Sequence, residues 1–237
     1  ENLLISYTAD DEGYAKLPET MKLLTEKLPE GSGEHFAFTH PVENINEGLK
    51  TAAQVDYVAR CGSFRKAGLA YTGALKILQV ILSYDYLWLN IRVKGGAYGC
   101  MSGFGRSGEG YLVSYRDPNL KETNEIYEGI PEYLRQFNPD DRDMTKYVIG
   151  TISNMDTPLT PSVKGSRGLS AYLSGVTEEM MQKERDEVLT ATKEDIRALA
   201  DIVQAVLDTG SFCVVGNEEK IEANREMFGS VESLSRA

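Results

Sequence analysis

Apolar residues recur at helical spacing in "AYTGALKILQVILSYDYLWLNIR", residues 70 to 92, and predict a long helix ending near Arg92. Just before it, "QVDYVARCGSF" alternates apolar and polar positions as a half-buried strand does. Just after it, the β-rich runs "AYGCMSGF" and "YLVSYRD" flank the glycine turn "GRSGEG", which predicts a hairpin. Beyond "DPN", amphipathic patterns predict helices over about residues 121 to 137, 140 to 155, 162 to 175, 177 to 189 and 193 to 207. The last of these opens with "TKED", a capping box in which Asp195 takes the glutamate position. Strand "SFCVV", turn "GNEE" and helix "KIEANREMF" follow.

The N-terminal stretch has a β-rich run "NLLISYTA", an acidic turn "DDEG" and a helical pattern "YAKLPETMKLLTEKLP", whose Pro18 suits a first turn. "EGSGEHFAFTHPVENINEG" is polar and turn-rich and reads as a linker. The order strand, helix, hairpin, helices, strand, helix predicts an α+β fold: an antiparallel β-sheet with helices packed on one face. Apolar strand, acidic turn and helix occur both near the start and near the end. If the later set closes a domain, residues 1–33 are expected to supply the closing strand and helix of a preceding one, with residues 34–237 as a C-terminal α+β domain. The chain would then be the later part of a longer protein.

Composition narrows the chemistry. Apolar residues make up 41% and charged residues 26% of 237, as in a soluble globular protein, and no apolar run reaches the roughly 18 residues of a membrane span. A net charge of −11 repels phosphate backbones, which argues against nucleic acid and allows a basic peptide partner. Cys61, Cys100 and Cys213 are unpaired in spacing and read as reduced thiols of a cytosol-like compartment. His35 and His40 are the only histidines, and "HFAFTH" lacks a third ligand type, so no zinc set is expected from them. There is no G-x-S-x-G elbow, and the G-x-G-x-x-G of Gly103, Gly105 and Gly108 leads into a strand instead of a phosphate-binding helix.

Seven glycines remain to be explained within residues 89 to 110, beside Arg92 and Tyr98. Glycines at 95, 96 and 99 allow left-handed backbone and close approach by another chain, as in strand addition by a peptide. Arg92 offers a fork of donors and Tyr98 a phenol, the equipment for holding one carbonyl oxygen. The alternative is a bent hairpin in which Arg92 pairs with a surface acid and Tyr98 lies in the core.

At "IRVKGGAYG" the chain resembles the presequence proteases of the insulinase (pitrilysin-like) zinc peptidases. "QVDYVARCGSF", the long helix, the hairpin with "YRDPNL" and "TPLTPSVKG" are similar to that family's last domain, from about residue 34 onward. The resemblance implies two halves, each of two related α+β domains, closing a chamber around unstructured peptides. Zinc would be held by an inverted H-x-x-E-H motif and a distal glutamate in the N-terminal domain, the motif's glutamate activating water. By match, Arg92 would anchor the substrate backbone and Tyr98 would donate to the scissile carbonyl. Gly95, Gly96, Ala97 and Gly99 would complete the substrate-binding turn.

This chain has no H-x-x-E-H, so the resemblance implies a metalloendopeptidase whose zinc lies in the full-length enzyme and not here, and a chain inactive alone. Its partners would be unstructured peptides, basic ones included, and the N-terminal catalytic half of the same polypeptide. The expected setting is the bacterial cytoplasm, with an organellar matrix as the other option. Two alternatives stay open: a non-catalytic peptide-binding subunit of a two-chain peptidase, and a stand-alone peptide-binding module.

Overall fold

Alternation in the strands sorts their side chains onto two faces, and the described helices of the sheet's own unit, residues 43–155 and 182–237, cover one of them. The computed structural model describes residues 3–28, 31, 38–39 and 43–234. His35, His40 and the expected boundary between residues 33 and 34 lie outside the described residues.

Six strands form one sheet: β1 (Glu47–Thr51), β2 (Asp56–Ser63), β3 (Gly99–Phe104), β4 (Glu109–Asp117), β5 (Ser211–Asn217) and β6 (Ser230–Ser233). Their order is β3-β4-β2-β5-β1-β6. In β5, Phe212, Val214 and Gly216 are buried and the residues between them are not. The register sets Val58 beside both Val214 and Ser114, and Arg60 beside both Phe212 and Leu112, so these residues share the covered face. The opposite face leaves Tyr57, Met101 and Tyr111 exposed.

The α+β class and the one-sided helical layer are as the pattern predicts, and β3-β4-β2-β5 is antiparallel as expected. The sheet as a whole is mixed, because β1 pairs parallel with both β5 and β6. β5 inserts between β1 and β2, and helix α9 (Glu218–Ala223) carries the chain across to β6 on the far side of β1. Both β1 and β6 escape a sequence reading because they are short, five and four residues, and stand among turn residues.

Several helices build the covered layer. α8 (Lys193–Thr209) buries Ile196, Leu199, Val203, Val206 and Leu207, each contributing roughly 1.5–3 kcal/mol of hydrophobic stabilisation. It comes so close to β2 that a Cβ on Gly62 would stand 2.0 Å from the Val206 carbonyl oxygen. Its expected capping box is present, with Thr192 and Asp195 bonding each other's backbone N–H. α2 (Ala74–Ile81) continues into wider helical turns over Leu82–Tyr86 and Trp88–Lys94. The buried positions Leu82, Leu87 and Ile91 are spaced five and four apart, which suits this wider winding and keeps the apolar stripe facing inward. The expected helix 121–137 is two, α3 (Lys121–Glu128) and α4 (Ile130–Arg135), because Pro131 lacks an N–H and the Tyr86 hydroxyl donates to the Ile126 carbonyl at the break. α5 (Asp141–Met155) and the C-terminal end of α7 (Glu178–Leu189) complete this unit, which comprises residues 43–155 and 182–237.

Residues 1–42 and 156–181 form a separate unit that contains α1 (Asp11–Thr25) and α6 (Pro161–Ser174). Residues 3–10 pair with no strand, and Leu3, Leu4 and Tyr7 are exposed. Asp10 caps α1 by accepting from the Gly13 N–H, so the acidic "DDEG" opens a helix rather than forming a turn. Pro18 consequently sits inside the helix and not in its first turn. A Cβ on Gly165 of α6 would overlap the Thr8 hydroxyl at 1.8 Å, so glycine there permits the approach of the extended segment.

Burial holds several phenols neutral in the covered layer. It pushes Tyr133 up to about 12, with the negative charge of Asp85 adding to it. Burial likewise raises Tyr127, and raises Tyr71 and Tyr147 together with bonds to Glu184 and Asp85. Unfolded tyrosines ionise near pH ~10, so above that pH the unfolded chain releases protons that the folded chain retains. Stability from these groups is fully present below pH ~10 and is lost as pH climbs beyond it. The urea midpoint should therefore fall between pH ~8 and pH ~11, and Tyr133→Phe should shrink that fall.

Candidate functional site

The widened helix ends where Arg92 and Tyr98 meet. Trp88 and Arg92 are four residues apart on it, and the Arg92 guanidinium carbon lies 4.1 Å from the Trp88 ring centroid and 5.9 Å from that of Tyr98. Between them Gly96 adopts φ +82°, the left-handed conformation that closes a helix. The Gly96 N–H donates to the Arg92 carbonyl and the Ala97 N–H to the Ile91 carbonyl, so the last carbonyls are satisfied. A Cβ on Gly95 would stand 2.5 Å from the Ile91 oxygen, which leaves room only for glycine. Ala97 is buried and its methyl belongs to the core.

A second turn grips the first. Asp117, fully buried at the end of β4, accepts from the Asn119 N–H at 2.9 Å and from the Thr123 hydroxyl at 2.8 Å. Asn119, oriented by this turn, donates its side-chain amide to the Gly95 carbonyl at 2.6 Å. The Tyr98 N–H donates to the Arg116 carbonyl at 3.3 Å. Lys220 ties the same turn to the sheet by donating to the Pro118 carbonyl and to buried Asp56.

The outcome is an exposed cationic and phenolic cluster. Tyr98 is 58% exposed and so is not a core residue. Its ring lies 5.7 Å from that of Tyr115 and 5.4 Å from the Arg116 guanidinium carbon. Among the described residues, neither Arg92 nor Arg116 forms an ion pair, and the Tyr98 hydroxyl has no hydrogen-bond partner. Of the expected substrate-binding turn, Arg92, Gly95, Gly96, Ala97, Tyr98 and Gly99 are thus contiguous, but only Arg92 and Tyr98 present free polar side chains. Gly99 and Gly103 have a use within the chain: a Cβ at either would stand within 2.5 Å of the Tyr115 or Tyr111 side chain lying across β3. Sequence reasoning passed over Arg116, Asp117 and Asn119, although the Asp-Pro step in "YRDPN" is a turn signal.

Cys100, beside this cluster, is pushed up to about 11 by burial and by Asp117, against the opposing charge of Arg92. Burial also raises half-buried Cys213, whereas Cys61 is exposed. Among the described residues no group of three His, Cys, Asp or Glu is placed to hold a metal ion, and no helix is long and apolar enough to cross a membrane.

Comparison with known proteins identifies the family. The family described as the PreP C-terminal domain matches residues 46–218. Protein HypA of Clostridium perfringens is 44% identical over 98% of this chain and 24% of its own length. Presequence protease 1, chloroplastic/mitochondrial, of Arabidopsis thaliana is 33% identical over 93% of this chain and 21% of its own. The chain therefore spans about a quarter of the length of the curated relatives it matches. Among solved structures, pitrilysin superposes with a TM-score of 0.61 at 11% identity, over 96% of this chain and 25% of that one. A peptidase M16 inactive domain from Pseudomonas fluorescens gives 0.61 at 14% identity, over 86% and 51%. At these identities the superpositions speak for the fold.

Two outcomes test this description. Asn119→Ala should lower stability by about 1 kcal/mol and speed amide exchange at Gly96 and Ala97, whose turn it releases. Limited alkylation with iodoacetamide at pH ~8, followed by peptide mass analysis, should label exposed Cys61 ahead of Cys213 and Cys100, whose thiols are less accessible and are held protonated by burial.

Proposed function

The chain belongs to the family of PreP C-terminal domains, and from that premise we propose that it is the C-terminal part of a zinc-dependent metalloendopeptidase that degrades short unstructured peptides. One observation carries the reading: Arg92 and Tyr98, the two side chains matched to that role, stand together and exposed, and among the described residues neither side chain is held in an ion pair or hydrogen bond.

The described residues offer no metal ligand set, and zinc would be held by another part of the enzyme. The chemistry left to this chain is positioning and charge stabilisation. Arg92 holds a backbone carbonyl or carboxylate of an extended peptide with its fixed fork of donors. Trp88 stacks on that guanidinium and limits its rotamers, lowering the entropy lost on binding. Tyr98 donates its phenolic proton in a hydrogen bond to the scissile carbonyl oxygen, and the bond strengthens as charge develops there. The Asn119 clasp on Gly95 keeps the distance between the two donors from drifting.

The relatives carry the matching segment within a chain about four times as long, which favours a catalytic half on the same polypeptide over the two-chain alternative. Residues 34–237 would form the domain that presents Arg92 and Tyr98, and residues 1–33 would belong to the element before it. A net charge of −11 favours basic peptides by long-range attraction.

In the full-length protein, Tyr98→Phe should lower kcat by roughly 10²-fold, as loss of one oxyanion donor does. Arg92→Ala should act mainly through KM. Peptide turnover unchanged in Tyr98→Phe would remove the phenol from the mechanism.

A further inference from the structure

Arg116 occupies a conformation that its own side chain does not favour. Its φ is +49°, and among the described residues it is the one non-glycine residue with positive φ. The cause is a bulge: Asp56 pairs with Asp117 and Val58 with Ser114, so Tyr57 on β2 faces two residues on β4, Tyr115 and Arg116. Bulges of this kind usually give the left-handed position to glycine, and they turn a side chain in a new direction next to sites. An arginine there is retained against a local conformational cost, which calls for a use of the guanidinium.

That guanidinium reaches the ring of Tyr98, as Arg92 does. In a chain with 36 acidic and 25 basic residues, two neighbouring arginines without a carboxylate partner run against composition. Each offers a planar fork that matches a carboxylate. Two guanidinium groups beside one phenol ring both raise the positive potential around it, and an anion bound there is attracted by each.

The geometry points to a carboxylate-binding site formed by Arg116 with Arg92 around Tyr98, taking a carboxylate of a bound peptide. The site rests on the reading that Arg92 and Tyr98 face substrate, and it adds a determinant of which peptides are held. A basic peptide still carries its C-terminal carboxylate, so the site complements the attraction of the acidic surface for positive charge.

The test uses the full-length protein and three versions of one cleavable peptide: a free C-terminal acid, a C-terminal amide, and a version with internal Glu replaced by Gln. Charge-assisted hydrogen bonds of ordinary strength predict KM for the acid peptide about tenfold or more below that of one of the neutralised versions. Which neutralised version loses affinity identifies the carboxylate as terminal or side-chain. Arg116→Gly should abolish that KM ratio while the melting midpoint holds or rises, because glycine suits the left-handed position. Arg116→Asn, which also tolerates this conformation, should abolish it without adding backbone freedom. A parent enzyme with equal KM for all three peptides, or a ratio that survives in both variants, would overturn the site. Tyr98→Phe run alongside separates the two ideas: a kcat drop with an unmoved KM ratio in the Arg116 variants rejects the carboxylate site alone, whereas unchanged kcat in Tyr98→Phe rejects the parent reading.

Discussion

The hydrogen bond from the Asn119 side chain to the Gly95 carbonyl joins two turns 24 residues apart, and the placement of both candidate donors follows from it. Gly95 ends the helix that carries Arg92, and Asn119 lies in the turn after β4, whose Arg116 carbonyl accepts from the Tyr98 N–H. Without this link each turn would be an exposed loop with its own freedom, and two donors cannot act on one carbonyl unless their separation is fixed. Buried Asp117 anchors the link, because its carboxylate orients Asn119 and Thr123 together. Lys220 extends the anchoring to β2 and α9, so the turn is built on the sheet and not hung from it.

Around that anchor the helix geometry has been adjusted to suit the site. A regular α-helix from Ala74 onward would rotate Arg92 relative to the apolar stripe that buries Leu82, Leu87 and Ile91. The wider turns let the stripe and the arginine be presented at once, and Asn90 satisfies the Tyr86 carbonyl within them. Local departures from regular structure gather here: wide helical turns, a left-handed glycine, a bulge and a left-handed arginine. Departures of this kind persist only where the surrounding packing over-determines them, and the fully buried Ile91, Leu112 and Leu120 supply that packing.

Much of this was legible in the sequence because periodicity reports burial. The helices of the covered face, the hairpin and β2 all carry strong apolar patterns, and the capping box marked α8. The short strands β1 and β6 were not legible: β1 is placed by parallel pairing with β5, far along the chain, and β6 by pairing with β1, and not by their own composition. The break between α3 and α4 was signalled by Gly129 and Pro131, but Pro is tolerated at a helix start, so a kink and a restart look alike in sequence. Arg92 and Tyr98 stood out by spacing and resemblance. Arg116 did not, because its significance lies in a backbone angle set by a register shift, and no residue pattern encodes that directly.

The glycines have uses within the chain that spacing alone does not reveal. Their density suggests room left for a visiting backbone, yet Gly99 and Gly103 are filled by Tyr115 and Tyr111 of the neighbouring strand, and Gly62 by α8. A glycine opposite an aromatic residue lets the ring lie flat across the strand, which covers the backbone and stiffens the hairpin. The stiffened hairpin then holds Tyr115 5.7 Å from Tyr98, so the phenol is supported on one side by an aromatic ring and flanked by two guanidinium groups. Rigidity, more than empty space, is what the glycines provide. A donor that must meet a developing charge gains from that rigidity, since no reorganisation is then needed as the charge appears.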